Sequence, residues 1–293
     1  MVSPLGRRSA WVEEGRGEDL RNEVLYGPNH ESRITNHEFS PMSEAYVNTT
    51  YPQPGLAEIT FFHPKHNSLP GNLLAQLAQA IRAEGQNLDT RVIVLKSGGD
   101  RTFCAGASFD ELIAIEDFET GKEFFMGFAR VINACRTCPK LIIGRVQGKA
   151  VGGGVGVAAA ADYTLATKFA AVKLSELNVG IGPFVVGPAV ERKIGVSAMS
   201  QLTINADAFF SAEWARDKGL FAEVHEDAAA LDGAVQKLAD FLLSTNPEAQ
   251  RQLKQIFWQG CEDWDQLLEQ RAEMSGQLVL SDYTKQALSK YQQ

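Results

Sequence analysis

The chain has 293 residues, 44% of them apolar and 22% charged, with a formal net charge of −8. That is room for one large globular domain or two small ones. No run of about 18 apolar residues offers a membrane span, the acidic balance without a dense Lys/Arg stretch argues against nucleic acid, and four cysteines do not make a disulfide scaffold in so long a chain.

Residues 1–44 are polar and without period, which predicts a flexible tail, with Met42 as an alternative start. No apolar signal-peptide core is visible there, so a cytoplasmic, reducing setting is expected. LAEITFFH (56–63) reads as a strand. Leu73, Leu74, Leu77, Ala78 and Ile81 share one face of a helix. RVIVLKS (91–97) is apolar enough for a strand buried on both faces. A glycine-containing loop, SGGDRTFCAGAS, follows, then helical segments over about 109–115 and 119–136. LIIGRVQG (141–148) is the next strand, and DYTLAT and AAVKLS are short ones. After Gly187 the pattern is mostly helical. Strand–helix alternation followed by helices predicts an α/β core over 45–200 and a helical C-terminal region over 201–293.

The stretch AVGGGVGVAAAADY (150–163) gives up side chains at one spot, and glycine inside a regular element costs about 0.5–1 kcal/mol. Three readings compete. Gly154-x-Gly156-x-x-Ala159 matches a dinucleotide fingerprint, with Glu176 twenty residues after Gly156 as the acidic partner. Alternatively, the helix that follows offers unpaired N–H groups and a positive dipole end to a thioester oxygen, with FCAGAS (103–108) as the second donor loop. The third reading is close helix–strand packing.

Other motifs are thin. Cys135-x-x-Cys138 has redox or zinc spacing, but no second pair supports it, and His63-x-x-His66 is no better a metal site. No metal is expected. There is no G-x-S-x-G, and Ser175 has no evident His/Asp partners, which leaves little room for a nucleophilic hydrolase.

Five blocks in order carry a resemblance: NSLPG (67–71), RTFCAGA (101–107), VQGKAVGGGVG (146–156), VKLSELNVGIGP (172–183) and ARDKGLF (215–221). From about Glu44 to Gly260 the chain resembles the crotonase superfamily, the enoyl-CoA hydratase/isomerase group. The resemblance implies a spiral of ββα units with a C-terminal helical trimerisation region, an acyl-CoA substrate, no cofactor beyond it, and a homotrimer or dimer of trimers. It places the oxyanion donors at Ala107 and Gly153, with Ala105, Gly106, Gly152 and Gly156 beside the substrate. Where hydratases of the family carry two glutamates, this chain has Gly156 and Glu176. Half the pair is absent, as in bacterial methylglutaconyl-CoA hydratases, which the LSEL…GIGP block resembles. Glu176 is then the one acid–base group, suited to hydrating a short or branched 2-enoyl-CoA or to moving a 3-enoyl double bond. Without Glu176 the same loops would serve a non-catalytic acyl-CoA binder. Many relatives have a lysine near Asp110 for CoA; Lys65 and Arg101 are the substitutes here. Glu111 is a capping or solvent-facing residue, or else a second carboxylate.

Overall fold

The computed structural model describes residues 44–290. The expected tail and the alternative start at Met42 lie outside the described residues, apart from Glu44.

A hairpin opens the fold, β1 (Tyr46–Gln53) against β2 (Leu56–Phe62), turning at Gly55 with φ +86°. A short strand, β3 (Ser68–Leu69), leads into α1 (Gly71–Gln86), whose predicted stripe Leu73, Leu74, Leu77, Ala78, Ile81 is buried. Three turns of one unit then follow. The first runs β4 (Val92–Ser97), β5 (Thr102–Cys104), β6 (Gly106–Ala107), α2 (Phe109–Ile113) and α3 (Phe118–Thr137). The second is β7 (Leu141–Val146), β8 (Lys149–Val151) and α4 (Gly153–Ala160). The third is β9 (Tyr163–Thr167), β10 (Ala171–Lys173), a 3-10 turn (Glu176–Val179) and α5 (Gly187–Ile204).

Each turn contributes a long strand to one sheet and a short strand to another. The long sheet has the order β1-β2-β4-β7-β9-β12, and the short one β11-β10-β8-β5. Successive turns add neighbouring, parallel strands to both sheets, so the chain climbs as a spiral of ββα units. The long strands are sandwiched, which is why they read as unbroken apolar runs; all of β4 except Lys96 is buried, and Lys96 pairs with Glu58.

The remaining elements are β11 (Phe210–Ser211), α6 (Ala212–Asp217), β12 (Glu223–His225), α7 (Ala228–Ser244), α8 (Pro247–Phe257), α9 (Trp264–Val279) and α10 (Asp282–Ser289). The region after residue 200 was expected to be helical, yet β11 and β12 complete the edges of both sheets, so residue 200 marks no structural boundary. Most strands of two or three residues carry too little pattern to be read from sequence; β10, inside AAVKLS, is the exception. β1 was also missed, because its residues are mostly polar and exposed.

Two devices fix the C-terminal helices. Helix α9 crosses α3 where a Cβ on Gly121 would stand 3.2 Å from the Gly276 Cα. Asp162, between α4 and β9, accepts from Lys254 Nζ (2.8 Å), Trp258 Nε1 (3.0 Å) and the Ile142 N–H (2.8 Å), tying α8 and the residue after it to the core. Among the described residues no helix is long and apolar enough to cross a membrane.

Candidate active site

The two glycine-containing loops lie side by side. Gly106, at φ +95°, brings its Cα so close to the second loop that a Cβ would stand 3.1 Å from the Val151 carbonyl oxygen and 3.7 Å from the Gly153 nitrogen. The first loop is held by β3, which pairs in parallel with β6, and by Ser68 Oγ, which donates to the Ala107 carbonyl at 3.2 Å. Beneath it Asn67 is buried at φ +55°, a conformation asparagine tolerates better than most residues. Its Nδ2 donates to the carbonyls of Gly98 and Thr102, each at 2.8 Å, and its Oδ1 accepts from the His63 N–H at 2.9 Å. Gln147, also buried, stitches the same segment from the other side, donating to Ser97 Oγ at 2.8 Å and the Gly99 carbonyl at 3.1 Å. Sequence reasoning passed over both amides. A polar side chain inside an otherwise apolar strand–turn pattern was the signal for Gln147, and Asn67 stood in a family block without an assigned task.

The four glycines of the second loop have different reasons. Gly152 precedes α4 at φ 52°, ψ −119°, a conformation closed to residues with a Cβ. Gly153 opens the helix under the Phe128 ring, whose atoms would lie 2.3–2.5 Å from a Cβ there. Gly154 faces the Cys104 carbonyl at 2.5 Å and Gly156 faces Val186 at 2.5 Å, measured from the same imagined Cβ. So Gly152 and Gly153 serve the cavity, and Gly154 and Gly156 serve packing. The dinucleotide reading loses its basis, since neither of its two glycines leaves space for a pyrophosphate. Gly156 was expected beside the substrate; it is instead buried against Val186 and Ile132 and does not line the cavity.

A cavity of about 570 Å³ opens over these loops. Ala105, Gly106, Ala107, Gly152, Gly153 and Glu176 all border it, so six of the eight expected site residues meet at one place. Helix α4 directs its N-terminal dipole end at this spot, where developing negative charge on a thioester oxygen is favoured.

Glu176 begins the 3-10 turn after β10. Its carboxyl group packs against the second loop, with Oε1 3.1 Å from where a Gly152 Cβ would be. Its Oε2 is buried and accepts no hydrogen bond. Taking a carboxylate out of water disfavours the charged form, and burial, opposed only in part by a hydrogen bond from the backbone of Glu176 itself, pushes its pKa up to about 7. A carboxyl group so poised can take and return a proton near neutral pH. The position of the absent glutamate is filled by the Val186 side chain, so the site has one carboxylate by construction rather than by a vacancy.

The other candidates lie elsewhere. Lys65 is outside the cavity lining and forms an exposed ion pair with Asp110. Glu111 accepts from the Gly71 N–H at 2.9 Å and caps α1, in agreement with the capping reading. Cys135 and Cys138 are free and buried; burial raises both thiols, Cys135 to about 12, which suits packing and not redox exchange. His63 Nδ1 accepts from the Lys65 N–H at 3.2 Å, a turn contact.

Spiral sheets and paired glycine loops over an enclosed carboxyl group are the architecture of the crotonase superfamily. The chain belongs to the enoyl-CoA hydratase/isomerase family, whose model matches residues 52–292. Human mitochondrial methylglutaconyl-CoA hydratase is 32% identical over 200 residues, covering 67% of this chain and 58% of that protein. The short-chain-enoyl-CoA hydratase of Clostridium acetobutylicum is 26% identical over 239 residues, covering 80% and 90% of the two chains. Several of the curated relatives are matched over only 54–63% of their own length. An enoyl-CoA hydratase structure from Mycobacterium avium superposes with a TM-score of 0.76 at 25% identity, covering 85% of this chain and 97% of that one. One from Bacillus halodurans, at 24% identity and a TM-score of 0.78, covers 84% and 99% and speaks for the fold.

Proposed function

We propose that the protein hydrates a 2-enoyl-CoA thioester, using Glu176 as its single acid–base group. The thioester oxygen lies between the N–H groups of Ala107 and Gly153, where the α4 dipole favours the enolate. Glu176 takes a proton from water as the water adds to C3, then returns a proton to C2, so base and acid are one group acting on one face. The observation that carries this reading is the enclosed Glu176 carboxyl beside the N-terminus of α4, its Oε2 without a hydrogen-bond partner and its pKa near 7. The same single carboxylate supports a second reading, proton transfer from C2 to C4 of a 3-enoyl-CoA.

Incubation with 2-enoyl- and 3-enoyl-CoA in deuterated water, with products identified by mass spectrometry, separates the two. Hydration gives a 3-hydroxyacyl product from the 2-enoyl thioester. Isomerisation gives the conjugated thioester from the 3-enoyl one without added water. Tight acyl-CoA binding with neither product, and no exchange at C2, would leave a non-catalytic binder. No metal or further cofactor has a part in this scheme.

A trimer or dimer of trimers belongs to the proposal as well. Helix α8 supports it: it buries Gln250 and Lys254 toward its own subunit and turns Leu253, Ile256 and Phe257 outward, 46%, 56% and 50% exposed. A monomer by light scattering at micromolar concentration would contradict it.

A further inference from the structure

We propose that the acyl group this cavity takes carries a ring, aryl or alicyclic, rather than a short branched chain or a second carboxylate. The inference rests on the acyl-thioester reading above and narrows it. Size is the first argument. The cavity holds about 570 Å³, which leaves room for a ring beyond the thioester. A short chain reaches less of the lining, and lining atoms without a neighbour lose their dispersion partners.

The lining is the second argument. Six phenylalanines border the cavity, namely Phe109, Phe124, Phe125, Phe128, Phe184 and, at the rim, Phe209. Three come from α3. Phe124 and Phe125 meet edge to face at 5.0 Å and 90°, the arrangement aromatic rings prefer. Ile115, Ile181 and Val279 form a small buried cluster against which both rings pack, so the wall is set by packing rather than by the ligand.

Charge is the third argument. Lys173 is the one cationic side chain among the described residues lining the cavity. Its ammonium donates to the Asp207 carbonyl at 3.0 Å and stands 5.4 Å from the ring of Phe209, which is exposed at the rim. A carboxylate at the far end of an acyl group, buried among the phenylalanines, would find no cation in the lining but Lys173, and a buried charge without a counter-ion is strongly unfavourable.

Equilibrium binding of unreactive saturated thioesters to the wild-type protein tests this without requiring turnover. 3-Phenylpropionyl-CoA is expected to bind at least about tenfold more tightly than butyryl-CoA and about a hundredfold more tightly than glutaryl-CoA, from the added apolar contact and the buried charge. Butyryl- or glutaryl-CoA binding as tightly as the phenyl compound would overturn the proposal, and so would no binding by any of them. Turnover of cinnamoyl- and crotonyl-CoA keeps the two readings apart. Preferred binding of the phenyl thioester with neither substrate hydrated retains the ring and sinks hydration. Crotonyl-CoA with the higher kcat/KM retains hydration and sinks the ring.

Discussion

Replacing Glu176 by glutamine tests the burial argument and the chemistry together. In the folded chain the carboxyl group has a pKa of about 7 against an ordinary 4.5, because burial disfavours its charged form. The protonated form is therefore the one folding favours. The stability it lends is fully present below pH 4.5 and is lost as the pH rises through 7. With 1.36 kcal/mol per unit, the wild type carries a penalty of about 3 kcal/mol at pH 8 and under about 1 kcal/mol at pH 5. Glu176→Gln cannot titrate. Its stability relative to wild type should rise by about 2 kcal/mol from pH 5 to pH 8, read from urea midpoints at both pH values. The difference between pH values cancels whatever the amide itself gains or loses. Turnover should fall by about 10²–10⁴-fold, and wild-type kcat/KM should rise through about pH 7 as the base loses its proton. A relative stability that does not change between pH 5 and pH 8 would refute the reasoning, since the carboxylate would then be solvated.

Three further outcomes are expected. Gly153→Ala sets a Cβ within 2.3–2.5 Å of the Phe128 ring; steady-state rates should drop by about 10²-fold through the displaced donor, and adding Phe128→Leu should recover part of the loss. Gly156→Glu collides with Val186, so soluble folded protein is expected only when Val186→Ala accompanies it, as circular dichroism and gel filtration would show. Lys254→Ala strands the buried Asp162 carboxylate, costing about 3–5 kcal/mol; thermal unfolding should shift down by about 10 °C, and the pair Asp162→Asn with Lys254→Met should lose less than the single change.

Local pattern determined much of this protein. Apolar runs such as the VIVL of β4 read as strands covered on both faces, and the Leu/Ala stripe of α1 as a helix lying on them. Family blocks at their spacing singled out Ala107, Gly153 and Glu176, all of which border the cavity. What a residue faces, however, is a long-range property that no local pattern encodes. Gly152, Gly153, Gly154 and Gly156 read alike in sequence; only the tertiary structure sets two of them at the cavity and presses the others against Cys104 and Val186. Asp110 and Glu111 stood next to the first loop, yet one pairs with Lys65 and the other caps α1, contacts that span 45 and 40 residues. The acid strength of Glu176 belongs to the same class. The sequence supplied a carboxylate among apolar neighbours, and the spiral, by closing two loops and a 3-10 turn around it, removed the water that would have kept its pKa ordinary.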